Sequence, residues 1–134
     1  MDPVTLIKAK LARHPGLKYA ATATSIVVEA PAADGFTVSL QVFGDECIVH
    51  FDGWNEHFDS TGEALNCFAF GLSSLARLAI TYHGATPVKW VLEHLVGEVW
   101  IKESETGRLP VPFGQPTQVV YRRNPDLLDP EQPG

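Results

Sequence analysis

The amino-acid sequence predicts a single α+β domain, in which an antiparallel sheet of about six strands carries two helices on one face. Two segments open with helix-capping residues and continue with apolar residues at helical spacing. Between and after them, shorter segments alternate apolar and polar residues, as strands with one buried face do. Gly, Pro and Asp separate these segments, which is typical of turns. The predicted order is a helix and three strands, followed by a second helix and three more strands.

The first helix is predicted from its capping residues. Asp2 is a favoured N-cap, and Pro3 suits the first helical position, where the missing N–H has no helical partner. Apolar residues at helical spacing give this helix one buried face: Val4, Ile7 and Leu11. Turns at residues 31–35 and 44–46 then divide the following chain into three predicted strands: Thr22–Glu29, Phe36–Val42 and Cys47–Phe51.

The second helix is predicted over Ser60–Ser73, because Ser60 and Glu63 have the spacing of a capping box. Breakers at residues 83–87 and 96–97 separate the strands that are predicted after it: Arg77–His83, Val88–Leu95 and Glu98–Glu103. A short edge strand is expected at Val119–Tyr121. The domain should span residues 1–123, and residues 124–134, rich in Pro and acids, are expected to form a flexible tail.

Composition excludes several classes of protein. With 134 residues, 45% hydrophobic and 19% charged, the chain resembles an ordinary globular domain rather than a disordered protein. No apolar run approaches the ~20 residues of a membrane span, and the N-terminus lacks the pattern of a secretory signal. The two cysteines, Cys47 and Cys67, match no metal-binding spacing and are expected to stay reduced. We therefore expect a cytoplasmic protein that does not contact membranes.

The net charge of −6 is unevenly distributed along the chain. No Lys or Arg occurs between Tyr19 and Ala76, whereas eight acids do: Glu29, Asp34, Asp45, Glu46, Asp52, Glu56, Asp59 and Glu63. Phosphate backbones are bound by Lys and Arg, so this segment is a poor nucleic-acid surface. Its field favours a cation or a basic protein partner.

The stretch HFDGWNEHFD, residues 50–59, has the composition of a metal or proton-transfer site. His50 and Asp52 share one strand face, and His57 or Asp59 could supply a third ligand. A turn leading into the second helix accounts for more of these residues, because Asp52-Gly53 is typical of turns and an acid at Asp59 suits a helix N-terminus. No metal or cofactor is therefore predicted. A small metal- or histidine-dependent enzyme that uses His50–Asp59 remains an alternative.

The acidic residues predict a partner-binding surface. If the chain returns after residue 52 to the end of the sheet that holds Asp34, then Asp52, Glu56 and Asp59 gather there around Trp54. An aromatic centre ringed by acids suits a basic protein surface. We therefore predict a non-catalytic binding or protein-interaction module with an acidic face. A small-ligand binder, with a pocket between helix and sheet, is a second alternative.

The second helix is apolar on nearly every side, since Phe70 lies away from its main apolar face. Either the first helix covers Phe70 or a second copy of the chain does. An exposed Phe70 and a free sheet edge both favour a homodimer, with Phe70 in the interface.

Overall fold

The structure is a computed structural model that describes residues 2–107 and 117–127 of the chain. These residues form a mixed α+β fold with two helices and two antiparallel sheets. The helices are α1 (Pro3–Leu11) and α2 (Thr61–Gly71). The strands are β1 (Tyr19–Ala21), β2 (Ser25–Val28), β3 (Val38–Phe43), β4 (Glu46–Phe51), β5 (Trp54–Phe58), β6 (Ala76–His83), β7 (Thr86–Val96), β8 (Val99–Gly107) and β9 (Thr117–Arg123).

The strands are arranged in two sheets. Sheet A contains β1 to β5 in chain order, and each strand pairs antiparallel with the next. Sheet B has the order β8-β7-β6-β9, so β9 joins the edge beside β6 rather than continuing after β8. α2 packs against β3, β4 and β5 of sheet A and also contacts β6 of sheet B. We call the face of each sheet that contributes to the core its inner face and the opposite face its outer face.

Both helices begin with the predicted caps. The Asp2 side chain accepts a hydrogen bond from the Thr5 N–H at 2.9 Å, and the Ser60 hydroxyl accepts one from the Glu63 N–H at 3.3 Å. The apolar face of α1 is buried, and the residues concerned are Val4, Ile7 and Leu11. α1 packs against α2. Neither helix of the described chain is long and apolar enough to cross a bilayer.

The prediction of one sheet of about six strands is wrong in part, because the described residues form sheets of five and four strands. All seven predicted strands are present with shifted ends, and the short edge strand is extended to Thr117–Arg123. The prediction omits β1 and β5. β5 has polar residues at its centre, Asn55-Glu56-His57, so it lacks the apolar alternation of a half-buried strand. The order is therefore a helix and five strands, then a helix and four strands.

The core lies between the inner faces of the two sheets and α2. Phe51 of β4 stacks on Trp54 of β5, with ring centroids 4.7 Å apart. Trp90 of β7 packs directly over the backbone at Gly53, where any side chain would collide with the indole ring. The turn between β4 and β5 is therefore the point at which sheet B packs against the end of sheet A.

A buried polar side chain joins three parts of the chain. Asn124, which follows β9, is 1% exposed. Its Oδ1 accepts the Phe36 N–H at 2.9 Å, and its Nδ2 donates to the carbonyls of Phe36 and Gly71 at 3.1 and 3.0 Å. The Leu127 N–H donates to the Leu72 carbonyl at 2.7 Å. The tail predicted for residues 124–134 therefore begins with residues that pack against the domain, and residues 128–134 lie outside the described chain.

Candidate functional site

Asp34 and Asp52 lie at the same end of sheet A, as predicted, because the β2–β3 loop and the β4–β5 turn are both there. The Asp52 carboxylate accepts the Thr37 N–H at 2.9 Å. Desolvation raises the pKa of Asp52 above its ordinary value, whereas this hydrogen bond and the charge of Arg122 act to lower the pKa. Arg122 itself donates to the Ala33 carbonyl at 2.8 Å. This end of the sheet therefore contains a cation beside its acids.

Asp59 lies at the opposite end of sheet A. The chain turns tightly at Asp52, and β5 then runs back along β4 from Phe51 to Cys47. Glu56 lies midway along β5, and Asp59 follows its last residue, beside the end that holds Glu46. The structure therefore separates Asp59 from Asp34, contrary to the prediction, because a strand rather than a loop follows the turn.

Trp54 is 1% exposed, so it does not form the centre of a surface. It pairs with Phe51 across the β4–β5 turn, on the inner face of sheet A. Its Nε1 donates to the Ser104 hydroxyl at 2.9 Å, which ties β5 to β8. Burial of the ring with its polar nitrogen satisfied is typical of a core tryptophan.

The four ligands considered for a metal do not converge. His50 and His57 lie on neighbouring strands, on the outer face of sheet A. Partial burial lowers the pKa of His50, and the nearby charge of His57 lowers it further. Asp52 is in the turn and Asp59 is at the far end of β5. Within residues 2–107 and 117–127, no group of three or more His, Cys, Asp or Glu side chains is arranged to hold a metal ion.

Phe70 is partly buried against the core. Its ring meets His94 of β7 edge-on, with centroids 5.1 Å apart, and the His94 Nδ1 lies 3.2 Å from the Glu103 Oε1. Sheet B therefore covers part of Phe70. The homodimer and the place of Phe70 in its interface stay predictions, and Phe70 is partly buried rather than fully exposed.

A groove is present at the β1 edge of sheet A rather than between a helix and a sheet. It is lined by residues from β1, β2 and the segments next to them: Leu17, Lys18, Tyr19, Ala20, Val27 and Glu29. The second alternative, a ligand pocket under α2, gains no support from this groove.

The outer face of sheet B carries a group of aromatic and arginine side chains. The strand register places Arg77 of β6 between Glu93 of β7 and Arg123 of β9, so these three project from the same face. Trp100 of β8 and Tyr121 of β9 contact the group. We call these five residues the arginine–aromatic cluster.

Arg77 is held at the centre of this cluster. Its Nε donates to the Glu93 Oε1 at 2.5 Å, and its Cζ lies 4.4 Å from the ring centroid of Trp100 and 4.2 Å from that of Tyr121. The Arg123 Cζ lies 5.0 Å from the same indole. Cation–π contacts of this kind contribute roughly 0.5–2 kcal/mol each. The Arg77 side chain is only 22% exposed, so its contacts fix the guanidinium in one position.

The cluster borders an apolar surface. Tyr121 is 52% exposed and Val119, two residues earlier on the same face of β9, is 48% exposed. This surface is not evident in the sequence, because its residues come from four strands whose pairing no local pattern specifies. The alternation of Val119, Tyr121 and Arg123 along β9 is the signal that could have indicated it, since a strand placing such residues on one face is suited to contact a partner.

Comparison of the chain with protein-family models, with curated proteins and with solved structures found no match.

Proposed function

We propose that this protein is a non-catalytic protein-interaction module that binds its partner through the outer face of sheet B. The observation that supports the proposal is the arginine–aromatic cluster. Trp, Tyr and Arg are the residue types that most often dominate the binding energy of protein interfaces. The cluster presents all three on one sheet face, and Tyr121 exposes 52% of its surface there.

The fixed side-chain positions in the cluster also favour a binding role. A flexible arginine loses rotamer entropy when it is immobilised by a partner, at a cost of roughly 0.5–1.5 kcal/mol. Arg77 is already held by Glu93 and by two aromatic rings. A partner that docks on this face would therefore meet a pre-organised surface.

Site-specific photo-crosslinking tests the proposal. Benzoylphenylalanine is placed at Tyr121 and, as a matched control, at Phe43, which is 54% exposed on the outer face of sheet A. Both variants are expressed in cells of the source organism and irradiated. We expect a discrete crosslinked partner from position 121 alone, and we expect the further substitution Trp100→Ala to abolish it. The proposal fails if positions 43 and 121 give the same products, or if Trp100→Ala has no effect.

A basic partner is a second candidate, and one observation favours it. The end of sheet A away from Arg122 carries Asp45 in the β3–β4 turn, Glu46 at the start of β4 and Asp59 after β5. None of these carboxylates forms an ion pair within the described residues. Substituting all three by their amides should slow association with a basic partner, most strongly at low salt, because exposed charges steer encounter. Association that is indifferent to both the substitutions and the salt would exclude this candidate.

A further inference from the structure

The cluster contains more positive than negative charge. Arg123, Arg77 and Glu93 lie side by side across β9, β6 and β7, and only Arg77 forms an ion pair with the Glu93 carboxylate within the described residues. Like charges directly opposite each other on neighbouring strands destabilise a sheet. Trp100 offsets part of this repulsion, because both guanidinium groups contact its ring. The cluster therefore contains one more cationic than anionic side chain, so its charge favours an anion.

The two arginines retain unused hydrogen-bond donors. Arg77 bonds Glu93 through its Nε, and Arg123 bonds the Ser74 carbonyl through its Nε at 2.8 Å. Within the described chain, no hydrogen bond engages the terminal nitrogens of either side chain. A guanidinium with free terminal nitrogens binds a carboxylate or phosphate through two parallel bonds.

β9 adds unused main-chain groups beside these donors. The Arg123 N–H points away from β6, since it donates to the Asp34 carbonyl at 2.8 Å. Along an antiparallel strand, the main-chain N–H and C=O groups of successive residues point alternately toward and away from the neighbouring strand. The N–H and C=O groups of Tyr121 and Val119 therefore also point away from β6. In the described part of the chain, no hydrogen bond outside the pairing with β6 engages these groups.

We propose that the partner presents an extended acidic segment, which adds as a strand beside β9 and places a carboxylate against Arg123 and Arg77. The inference rests on the proposed binding role of this face. Only a polypeptide supplies both main-chain partners for the strand edge and a carboxylate for the arginines. Alternate side chains of this segment would lie on Tyr121 and Val119. We therefore expect its sequence to carry an acid and then apolar residues at every second position. The net charge of −6 also disfavours a nucleic acid as the source of the anion.

Selection from a phage-displayed library of random peptides tests this inference. The peptides that the full chain enriches are synthesised with a fluorescent label, and their affinities are measured by anisotropy. We expect Asp or Glu to be enriched together with apolar residues. Arg123→Gln should weaken binding about tenfold or more. The matched control Arg13→Gln removes the same charge from an exposed position after α1 and should change affinity by less than about twofold.

Hydrogen exchange tests the strand addition directly. Binding of an enriched peptide should slow the exchange of the Val119 and Tyr121 amides by about tenfold or more, because both become hydrogen-bonded. Exchange at these two amides that does not change on binding would overturn the inference. So would protection of both amides in the free protein together with a dimeric mass by sedimentation, since a second copy would then occupy the edge.

The outcomes separate this inference from the proposed function. If Tyr121→Ser abolishes binding but the enriched peptides show no preference for acids, the interaction surface is supported and the acidic segment is rejected. Enriched peptides whose affinity is indifferent to both Tyr121→Ser and Arg123→Gln reject both, and so does the absence of any enrichment. Thermal unfolding of each variant, followed by circular dichroism, establishes that it is folded before its affinity is compared.

Discussion

Asp52 adopts a left-handed backbone conformation, with φ 51°, while its carboxylate accepts the Thr37 N–H. Asn tolerates this conformation and keeps an oxygen for the hydrogen bond, whereas Val does neither. We expect Asp52→Asn to change the free energy of unfolding by less than about 0.5 kcal/mol and Asp52→Val to lower it by about 2 kcal/mol. Urea denaturation measures both, and equal effects would show that the turn does not depend on this residue's conformation.

The pKa of His50 makes stability depend on pH. Partial burial, and then the charge of His57, lower this pKa below its ordinary value of 6.5. The folded protein therefore favours the neutral form of His50. Below pH 6.5 the unfolded chain binds a proton at this residue more readily than the folded protein does, so the free energy of unfolding falls as the pH is lowered. His57→Gln should raise the pKa of His50 in an NMR titration and reduce the loss of stability on acidification. An unchanged His50 titration would show that the two rings do not interact.

Cys67 should affect stability in alkaline solution. Burial, and then the charge of Glu56, raise the pKa of Cys67 from 9.0 to about 12. The unfolded chain therefore loses this proton first, and stability declines between pH 9.0 and about 12. The free energy of unfolding falls by up to ~1.4 kcal/mol per pH unit for one such group. The free energy of unfolding of Cys67→Ala should change less between neutral and alkaline pH than that of the parent, as measured with guanidinium chloride. A difference of the opposite sign would contradict the assignment.

At the scale of elements, Asn124 holds the β2–β3 loop, the end of α2 and the residues after β9 together. Asn124→Ala leaves one buried N–H and two carbonyls without this partner. We expect the free energy of unfolding to fall by about 3 kcal/mol, since each unsatisfied group costs roughly 1–3 kcal/mol. Asn66→Ala, at an exposed position of α2, is the matched control and should have little effect. Equal effects in urea denaturation would show that Asn124 contributes no more than a surface residue does.

Elements that are specified by neighbouring residues could be predicted from the sequence. Asp2 and Ser60 mark the two helix starts because each caps an N–H only three residues away. β5 could not be predicted in the same way, because its polar centre pairs with β4 and its Trp54 is buried by residues far along the chain. The division into two sheets depends on such distant contacts, and apolar alternation does not identify which strands pair.

The candidate site was less predictable for the same reason. The unequal distribution of acids is visible in the sequence, but whether Asp59 lies near Asp34 depends on one unrecognised strand. The arginine–aromatic cluster brings Arg77 beside Arg123, which is 46 positions later, through a pairing of β6 with β9 that skips two strands. No local pattern encodes that pairing.

At the scale of the whole molecule, Phe70 connects α2 to sheet B. Its ring packs on His94, so Phe70→Ser should lower the free energy of unfolding by about 1–2 kcal/mol and leave the mass in solution unchanged. Phe43→Ser, at a position that is 54% exposed, is the control and should change stability by less than about 0.5 kcal/mol. Urea denaturation and light scattering measure the two quantities. A lower mass with unchanged stability would instead place Phe70 between two copies.

A ribosome synthesises Phe36 and Gly71 well before Asn124. Sheet A consists of consecutive hairpins, so its strands can pair while sheet B is still being made. The Phe36 loop and the end of α2 must meanwhile keep their free N–H and carbonyl groups bonded to water. Arrival of β9 brings Asn124 to these groups and also delivers Tyr121 and Arg123 to the cluster. A nascent chain would therefore lack the proposed binding surface until the same segment has completed the fold.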